Sequence, residues 1–246
     1  MRYLILGDIH SNFDALQTVL QESERLGYDR VLVLGDLVGY GAQPNEVVER
    51  IRALEPLAII RGNHDKVASG LEEAEGFNPI AQEAAEWTYR TLTPANRHYL
   101  FTRQAGPIFV DAATEICHGS PGDEDAYITS AVAALRALKQ SERPVCFYGH
   151  THIPVAFRLT DAGFDLVARG PEAEQRVTIE QGQYLINPGS VGQPRDGDPR
   201  AAFATFEPDS REVRLYRVEY PVELAQEKII GAGLPQILAR RLALGR

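Results

Sequence analysis

The chain has 246 residues, and its 25 basic and 34 acidic residues give a net charge of −9 at pH 7. This balance disfavours non-specific binding to nucleic acid or to anionic lipid, because both ligands are themselves negatively charged. Two cysteines in 246 residues do not make a disulfide framework, so we interpret Cys117 and Cys146 as small buried residues in a reducing compartment. We expect residues 1–246 to form one domain with a large core.

The sequence gives no sign of membrane insertion. Residues 3–6 form an apolar stretch ahead of Gly7 and Asp8, and this stretch is too short for the apolar region of a secretion signal. Elsewhere no uninterrupted apolar run is long enough to span a bilayer. We therefore expect a soluble, cytoplasmic protein without a membrane partner.

The first sixty residues alternate between strand-like and helix-like segments. Residues 2–7, 31–34 and 57–60 are short apolar runs typical of buried strands. The two segments between them place apolar residues on one helical face, and Pro44 stands where a first-turn proline is expected. This order predicts a parallel sheet, and ligands bind to such sheets outside the carboxyl ends of the strands.

The remainder of the chain changes character twice. Strand signals are absent from residues 66 to 105, where Pro79 and Pro94 are placed as helix starts, so this segment is predicted to be a helical, lid-like insertion. After Pro154, short alternating runs predict an antiparallel second half. Residues 222–244 are predicted to form one or two terminal helices.

Side chains that can bind metals follow most of the predicted strands. They are Asp8, His10, Asp36, Asn63, His64, His118, His150 and His152. Each alone has an ordinary explanation, because an aspartate after a strand is commonly a turn residue and a buried histidine is commonly a hydrogen-bonded core residue. However, five of the six histidines follow predicted strands directly, and only His98 lies in the helical insertion. The joint pattern predicts that several strand ends converge on one polynuclear metal centre.

The residue types narrow the choice of metal. Asp36 has two carboxylate oxygens and is therefore suited to lie between two cations. Asn63 offers a neutral amide oxygen, and the histidines offer imidazole nitrogens. A set of nitrogen and oxygen ligands without thiolate favours Mn, Fe, Zn or Ni over Ca or an iron–sulfur cluster.

Five segments, taken in order, resemble the signature motifs of the calcineurin-like metallophosphoesterase superfamily. They are Asp8-Ile9-His10, Gly35-Asp36, Gly62-Asn63-His64-Asp65, His118 and Gly149-His150-Thr151-His152. The chain length and the segment Asn187-Pro188-Gly189-Ser190 are similar to the compact bacterial and archaeal branch. The resemblance implies an α/β fold, a four-layer α/β/β/α sandwich of two mixed β-sheets flanked by helices.

The resemblance also implies a binuclear site that holds two divalent or trivalent metal ions. One ion would take Asp8, His10, Asp36 and His152. The other would take Asp36, Asn63, His118 and His150. His64 would be the catalytic histidine and Asp65 its partner. The implied activity is hydrolysis of phosphoric monoesters or diesters by a hydroxide that the two metals activate, and the implied substrate is a small phosphorylated compound, with nucleotides among the candidates.

One departure from the resemblance narrows the class. Phosphoprotein phosphatases have Asp-Arg-Gly shortly after Gly-Asp, whereas Asp36 is followed by Leu37-Val38-Gly39. Serine/threonine phosphatase and symmetrical dinucleoside tetraphosphatase activities are therefore disfavoured. Arg195 and Arg200 could bind a substrate phosphate instead, although a solvated surface loop is an equally open interpretation of their segment. Tyr40 is a further candidate for substrate contact.

Two alternatives from other classes stay open at this point. The superfamily contains catalytically silent members that act as protein-interaction scaffolds, and degenerate motifs would mark that case. Here every ligand position carries the expected residue type, which favours the enzyme. The superfamily also contains DNA nucleases, but an acidic chain of 246 residues has little room for their additional nucleic-acid-binding regions.

Overall fold

The structure, a computed structural model, describes residues 1–170 and 172–246. Twelve strands of this part of the chain form two six-stranded sheets. The first sheet consists of β1 (Tyr3–Leu6), β2 (Arg30–Val33), β3 (Ala58–Ile59), β9 (Glu174–Thr178), β11 (Ala201–Glu207) and β12 (Glu212–Val218), in the order β3-β2-β1-β11-β12-β9. Strands β1, β2 and β3 run parallel, as predicted, and β11 joins β1 antiparallel. This sheet is therefore mixed.

The second sheet is also mixed. It consists of β4 (Ile108–Phe109), β5 (Thr114–Ile116), β6 (Val145–Phe147), β7 (Val155–Thr160), β8 (Gly163–Arg169) and β10 (Gln183–Asn187), in the order β4-β5-β6-β10-β7-β8. Strands β5, β6 and β10 run parallel, whereas β4 and β7 pair antiparallel with β5 and β10. The carboxyl ends of β5 and β6 consequently lie at one edge.

The described part of the chain also contains eight helices. They are α1 (Phe13–Leu26), α2 (Pro44–Ala53), α3 (Asn63–Ser69), α4 (Pro79–Thr91), α5 (Pro94–Phe101), α6 (Ala131–Gln140), α7 (Val222–Gly231) and α8 (Gln236–Leu244). Proline opens α2, α4 and α5, where its fixed φ suits the first turn and its missing N–H breaks no helical hydrogen bond. The helix starts predicted at Pro44, Pro79 and Pro94 are thus confirmed.

The core is divided into layers by the alternation of side chains along the strands. Leu4 and Leu6 of β1 pack with the helices outside the first sheet, whereas Tyr3 and Ile5 face the second sheet. A third cluster, around Tyr148, joins the outer face of the second sheet to α6. This layering confirms the predicted four-layer sandwich.

Two smaller expectations concern the cysteines and the membrane. Cys117 and Cys146 are buried, and their sulfur atoms lie 3.6 Å apart without a disulfide. Within residues 1–170 and 172–246, no helix has both the length and the apolar character needed to cross a bilayer.

Candidate metal centre

Backbone strain marks the loops that follow the central strands. Nine described residues other than glycine have positive φ, and seven of them lie in these loops. The seven are Asp8, His10, Ser11, Asp36, Tyr40, His150 and His152. Such conformations are costly for residues with a side chain and persist where the surrounding structure enforces them, commonly at functional sites. Five of the seven are residues that the sequence analysis selected as metal ligands.

The four histidines expected to bind metal are each oriented by a backbone carbonyl. The pairs are His10 Nδ1 with Val38 O (3.0 Å), His118 Nδ1 with Leu34 O (2.8 Å), His152 Nδ1 with Gln193 O (2.6 Å) and His150 Nε2 with Asp125 O (3.1 Å). A carbonyl only accepts, so the ring nitrogen in each pair must carry the proton. The other nitrogen of each ring is then a free lone-pair donor, which is the arrangement seen around bound metals.

Asp36 lies between two groups of imidazoles. Its Oδ2 atom is 3.5 Å from Nε2 of His10 and 3.4 Å from Nε2 of His118. Its other oxygen, Oδ1, accepts the backbone N–H of His64 at 2.9 Å, which fixes the carboxylate. One oxygen of Asp36 therefore faces both histidines at once.

Two groups of donor atoms share Asp36, and within each group the atoms lie within 4.8 Å of one another. The first group is Asp8, His10, Asp36 and His152, and the second is Asp36, His118 and His150. The Asn63 amide oxygen lies 3.3 Å from Nε2 of His118 and so adds a fourth donor to the second group. The structure thus brings all seven expected ligands together, and it separates His150 from His152 as the resemblance implied.

The electrostatics of these donors fit bound cations. Burial, opposed by the attraction of His118 and aided by the nearby Asp36 carboxylate, raises the pKa of Asp8 to about 7. Burial disfavours the charged form of His118, but the attraction of Asp36 prevails and raises the pKa of His118 to about 10 without a metal ion. A cation bound at Nε2 of His118 would take the place of that second ring proton. Buried carboxylates and lone pairs are costly unless a cation compensates them. The donor set contains oxygen and nitrogen but no thiolate, which suits a transition metal such as Mn, Fe, Zn or Ni.

His64 lies beside the donor groups, but its expected contact with Asp65 is not formed. Burial lowers the pKa of His64 to about 4, and among the described residues its Nδ1 has no hydrogen-bond partner. Asp65 instead accepts the backbone N–H of Gly62 at 3.0 Å and of Val38 at 3.2 Å. This corrects the predicted pairing. The physical reason is that Asp65 occupies the first turn of α3, where its carboxylate is drawn to free backbone N–H groups.

The two arginine candidates have different surroundings. Arg195 reaches the site: its Nη2 lies 3.1 Å from Oε1 of Gln193 and 3.4 Å from the hydroxyl of Tyr40, and its Nε has no partner among the described residues. Arg200 instead forms an ion pair with Asp198, with 2.6 Å between Nη2 and Oδ2. The structure therefore brings Arg195 and Tyr40 to the centre and gives Arg200 a local structural contact.

Several residues near the centre had no signal in the sequence. Lys66 is almost fully buried, and its Nζ contacts Glu72, Glu124 and Asp125. Phe77 packs on His64 with 4.6 Å between ring centroids. Phe77 lies in an irregular segment, which follows no periodic pattern. Lys66 lies in α3, and only its adjacency to the Gly62–Asp65 motif could have drawn attention to it.

Tyr127 also lies at the centre, and no pattern in the sequence singled it out. Its ring covers His150, with 3.7 Å between the ring centroids. The tyrosine comes from the irregular segment between β5 and α6. The position of Tyr127 depends on the path of that segment, which the sequence pattern does not predict.

Residues 1–211 match the calcineurin-like phosphoesterase superfamily domain. The chain belongs to this family. It is similar over its whole length to a metallophosphoesterase from Sphaerobacter thermophilus, with 39% identity, 100% of both chains covered and a TM-score of 0.88. It is 35% identical to the uncharacterized protein MJ0912 of Methanocaldococcus jannaschii over 98% of this chain and 97% of that protein. It is 28% identical to phosphodiesterase YfcE of Escherichia coli, over 81% of this chain and 84% of the relative.

Proposed function

We propose that this protein hydrolyses phosphoric esters, either diesters or monoesters, at two metal ions held by the candidate metal centre. The observation that carries the proposal is the position of Asp36 Oδ2, 3.5 Å from His10 Nε2 and 3.4 Å from His118 Nε2. One carboxylate oxygen between two sets of imidazoles is suited to bridge two cations. The similarity to phosphodiesterase YfcE supports the same class of reaction.

The ligand sets follow from the two donor groups. One ion would be held by Asp8, His10, Asp36 and His152. The other would be held by Asp36, Asn63, His118 and His150. Manganese or iron in the divalent or trivalent state, and divalent zinc or nickel, suit these donors.

When bound, the two ions would supply an activated water and would neutralise charge on the phosphoryl oxygens. Arg195 binds a phosphate oxygen through its guanidinium group, which the Tyr40 hydroxyl holds in place. His64 donates a hydrogen bond that stabilises negative charge on the leaving oxygen. One water is consumed overall: its oxygen bonds to phosphorus, the ester P–O bond breaks, and one of its protons ends on the released alcohol.

Asp65 acts as a positioning residue in this scheme. Its carboxylate joins the backbone of Gly62 to that of Val38 and so connects two of the loops that carry site residues. The helical segment 66–105 acts as a partial lid, because Phe77 lies over His64. We propose that residues 1–246 work as a single domain and that the substrate is a small phosphorylated molecule.

The test uses purified protein loaded with Mn²⁺ and two substrates, p-nitrophenyl phosphate and bis-p-nitrophenyl phosphate. The His64→Ala variant should keep its metal content and lose about 10²–10³-fold in kcat, because a donor to the developing charge is removed. Metal content is measured by elemental analysis and turnover by release of nitrophenol. A metal content near zero, with both esters intact across a series of divalent cations, would contradict the proposal.

A further inference from the structure

A cleft of about 290 Å³ opens on one side of the candidate metal centre. Asn63, His64 and His150 form its inner end. Its outer end is formed by Glu72 and Glu73, which follow α3, and by Asp125, which precedes α6. A phosphoric ester whose phosphate lies at the metal centre would therefore extend its organic part into this cleft.

Aromatic rings line the inner part of the cleft. Tyr127 stacks on His150 with 3.7 Å between centroids, and 53% of its surface is exposed. Phe77 and Tyr40 pack on His64 at 4.6 and 4.3 Å. The faces of such rings attract organic cations as well as apolar groups.

The outer part of the cleft carries an excess of negative charge. Three carboxylates, of Glu72, Glu124 and Asp125, pair with the two cations of Lys66 and Arg61, and Glu73 adds a fourth carboxylate to the cleft lining. Lys66 is buried beneath three of these carboxylates, at 2.6 to 3.4 Å.

The remaining carboxylate, of Glu73, has no compensating cation in the part of the chain that the structure describes. Glu73 has no ion-pair partner among the described residues, so its charge stays uncompensated. In the described part of the chain, no lysine or arginine lines this cleft.

We propose that the cleft binds a cationic organic group, so that the preferred substrates are phosphoric esters of amino alcohols that carry one phosphate. The two ends of the site have opposite charge. The metal centre and Arg195 attract the phosphate, and the acidic, aromatic cleft attracts the ammonium group. A neutral organic group gains only contact with the rings, and a further phosphate in the cleft is repelled. This inference rests on the proposed function, since it names the substrate class of the same site.

The first test compares two esters of equal shape that differ in one charge. They are p-nitrophenyl phosphorylcholine and its isostere in which a carbon atom replaces the nitrogen, 3,3-dimethylbutyl p-nitrophenyl phosphate. With metal-loaded protein, kcat/KM should be at least about fivefold higher for the choline ester, and the preference should shrink as salt is added. Equal rates, or a preference for the neutral ester, would overturn the inference.

The second test measures equilibrium binding of the corresponding phosphates, phosphorylcholine and 3,3-dimethylbutyl phosphate, by calorimetry. Full-length protein is used both with metal and in EDTA. Glu73→Gln should reduce the choline preference by about two- to threefold, since one uncompensated charge is removed. The matched control is Glu75→Gln, an exposed glutamate of the same segment that does not line the cleft, and it should leave the preference unchanged.

Two substitutions at Tyr127 separate the contribution of its ring to phosphorylcholine binding from that of its hydroxyl. Tyr127→Ala should lower the affinity for phosphorylcholine severalfold, and Tyr127→Phe should retain it. If the choline preference in binding persists while no ester is hydrolysed, the proposed function fails and the inference stands. If esters are hydrolysed without any choline preference in rate or binding, the inference fails and the proposed function stands.

Discussion

Gly62 is placed so that no other residue can occupy its position without moving the carboxylate of Asp36. A Cβ atom at Gly62 would overlap the carboxylate of Asp36 and lie 2.5 Å from its backbone nitrogen. Gly62 also donates its own N–H to Asp65. The glycine of the Gly62-Asn63-His64 motif is thus required by close approach, because its φ of −105° is accessible to any residue.

We predict that Gly62→Ala loses metal and activity together. The added methyl group displaces Asp36 from the position between the two histidine groups, so metal content should fall from two ions per chain to fewer than one. Turnover of bis-p-nitrophenyl phosphate should fall at least about 100-fold. Gly231→Ala is the control, since its Cβ would meet nothing within 4 Å. A Gly62→Ala protein with two ions would show that Asp36 is not the bridge.

The sequence largely predicted which residues form the site, because each candidate ligand directly follows a strand-like run. It did not predict which atoms these residues form hydrogen bonds with. In the sequence, Asp65 could have paired with the neighbouring His64 or with the backbone at a helix start. Only the structure shows that its carboxylate accepts hydrogen bonds from the backbone N–H groups of Gly62 and Val38. Phe77 and Tyr127 come from irregular segments, whose path no periodic pattern encodes.

The loop that precedes α6 is joined to α3 by Lys66. Its Nζ lies 2.6 Å from Asp125, whose backbone carbonyl accepts the ring N–H of His150 at 3.1 Å. Glu124 of the same loop also forms two hydrogen bonds with Arg61, at 3.0 and 3.1 Å. One buried lysine thereby supports the orientation of a candidate metal ligand.

We predict that Lys66→Met weakens binding of one of the two metals. Loss of the ammonium group frees the loop and the carbonyl that orients His150, so calorimetry should show about tenfold weaker binding of one ion and unchanged binding of the other. The free energy of unfolding should also fall by about 1–3 kcal/mol. Lys139→Met, at an exposed position of α6, is the matched control. Equal weakening of both ions would contradict this role.

Helix starts were more predictable than the ends of strands. Proline fixes the first turn of α4 and α5, so their starts at Pro79 and Pro94 could be predicted from one residue each. Helix α6 begins at Ala131 because Ser130 caps it by accepting the N–H of Ala133. The strand expected at residues 57–60 is reduced to Ala58–Ile59.

At the scale of the whole molecule, the two sheets are joined by side chains that meet between them. Phe147 of the second sheet and Phe206 of the first lie 5.6 Å apart between ring centroids, and both are buried. Pairing of β1 with β11 joins residues about 200 positions apart in the sequence. Local patterns carry no information about such partners, so the resemblance implied the four layers and only the structure shows the strand order.

We predict that Phe206→Ala lowers the free energy of unfolding by about 3–5 kcal/mol, because it leaves a cavity between the sheets. If residues 1–246 form one domain, denaturation should remain a single transition by both circular dichroism and tyrosine fluorescence. Leu244→Ala, at an exposed position near the end of α8, should change stability by less than about 0.5 kcal/mol. Two separate transitions would contradict the single-domain proposal.

The central claim is a pair of metal ions bridged by Asp36. Anomalous diffraction from crystals of the manganese-loaded protein tests it most directly. We expect two peaks, with Asp36 contacting both ions, His10 and His152 contacting one, and His118 and His150 contacting the other. A single peak, or a structure in which His150 and His152 bind the same ion, would contradict it.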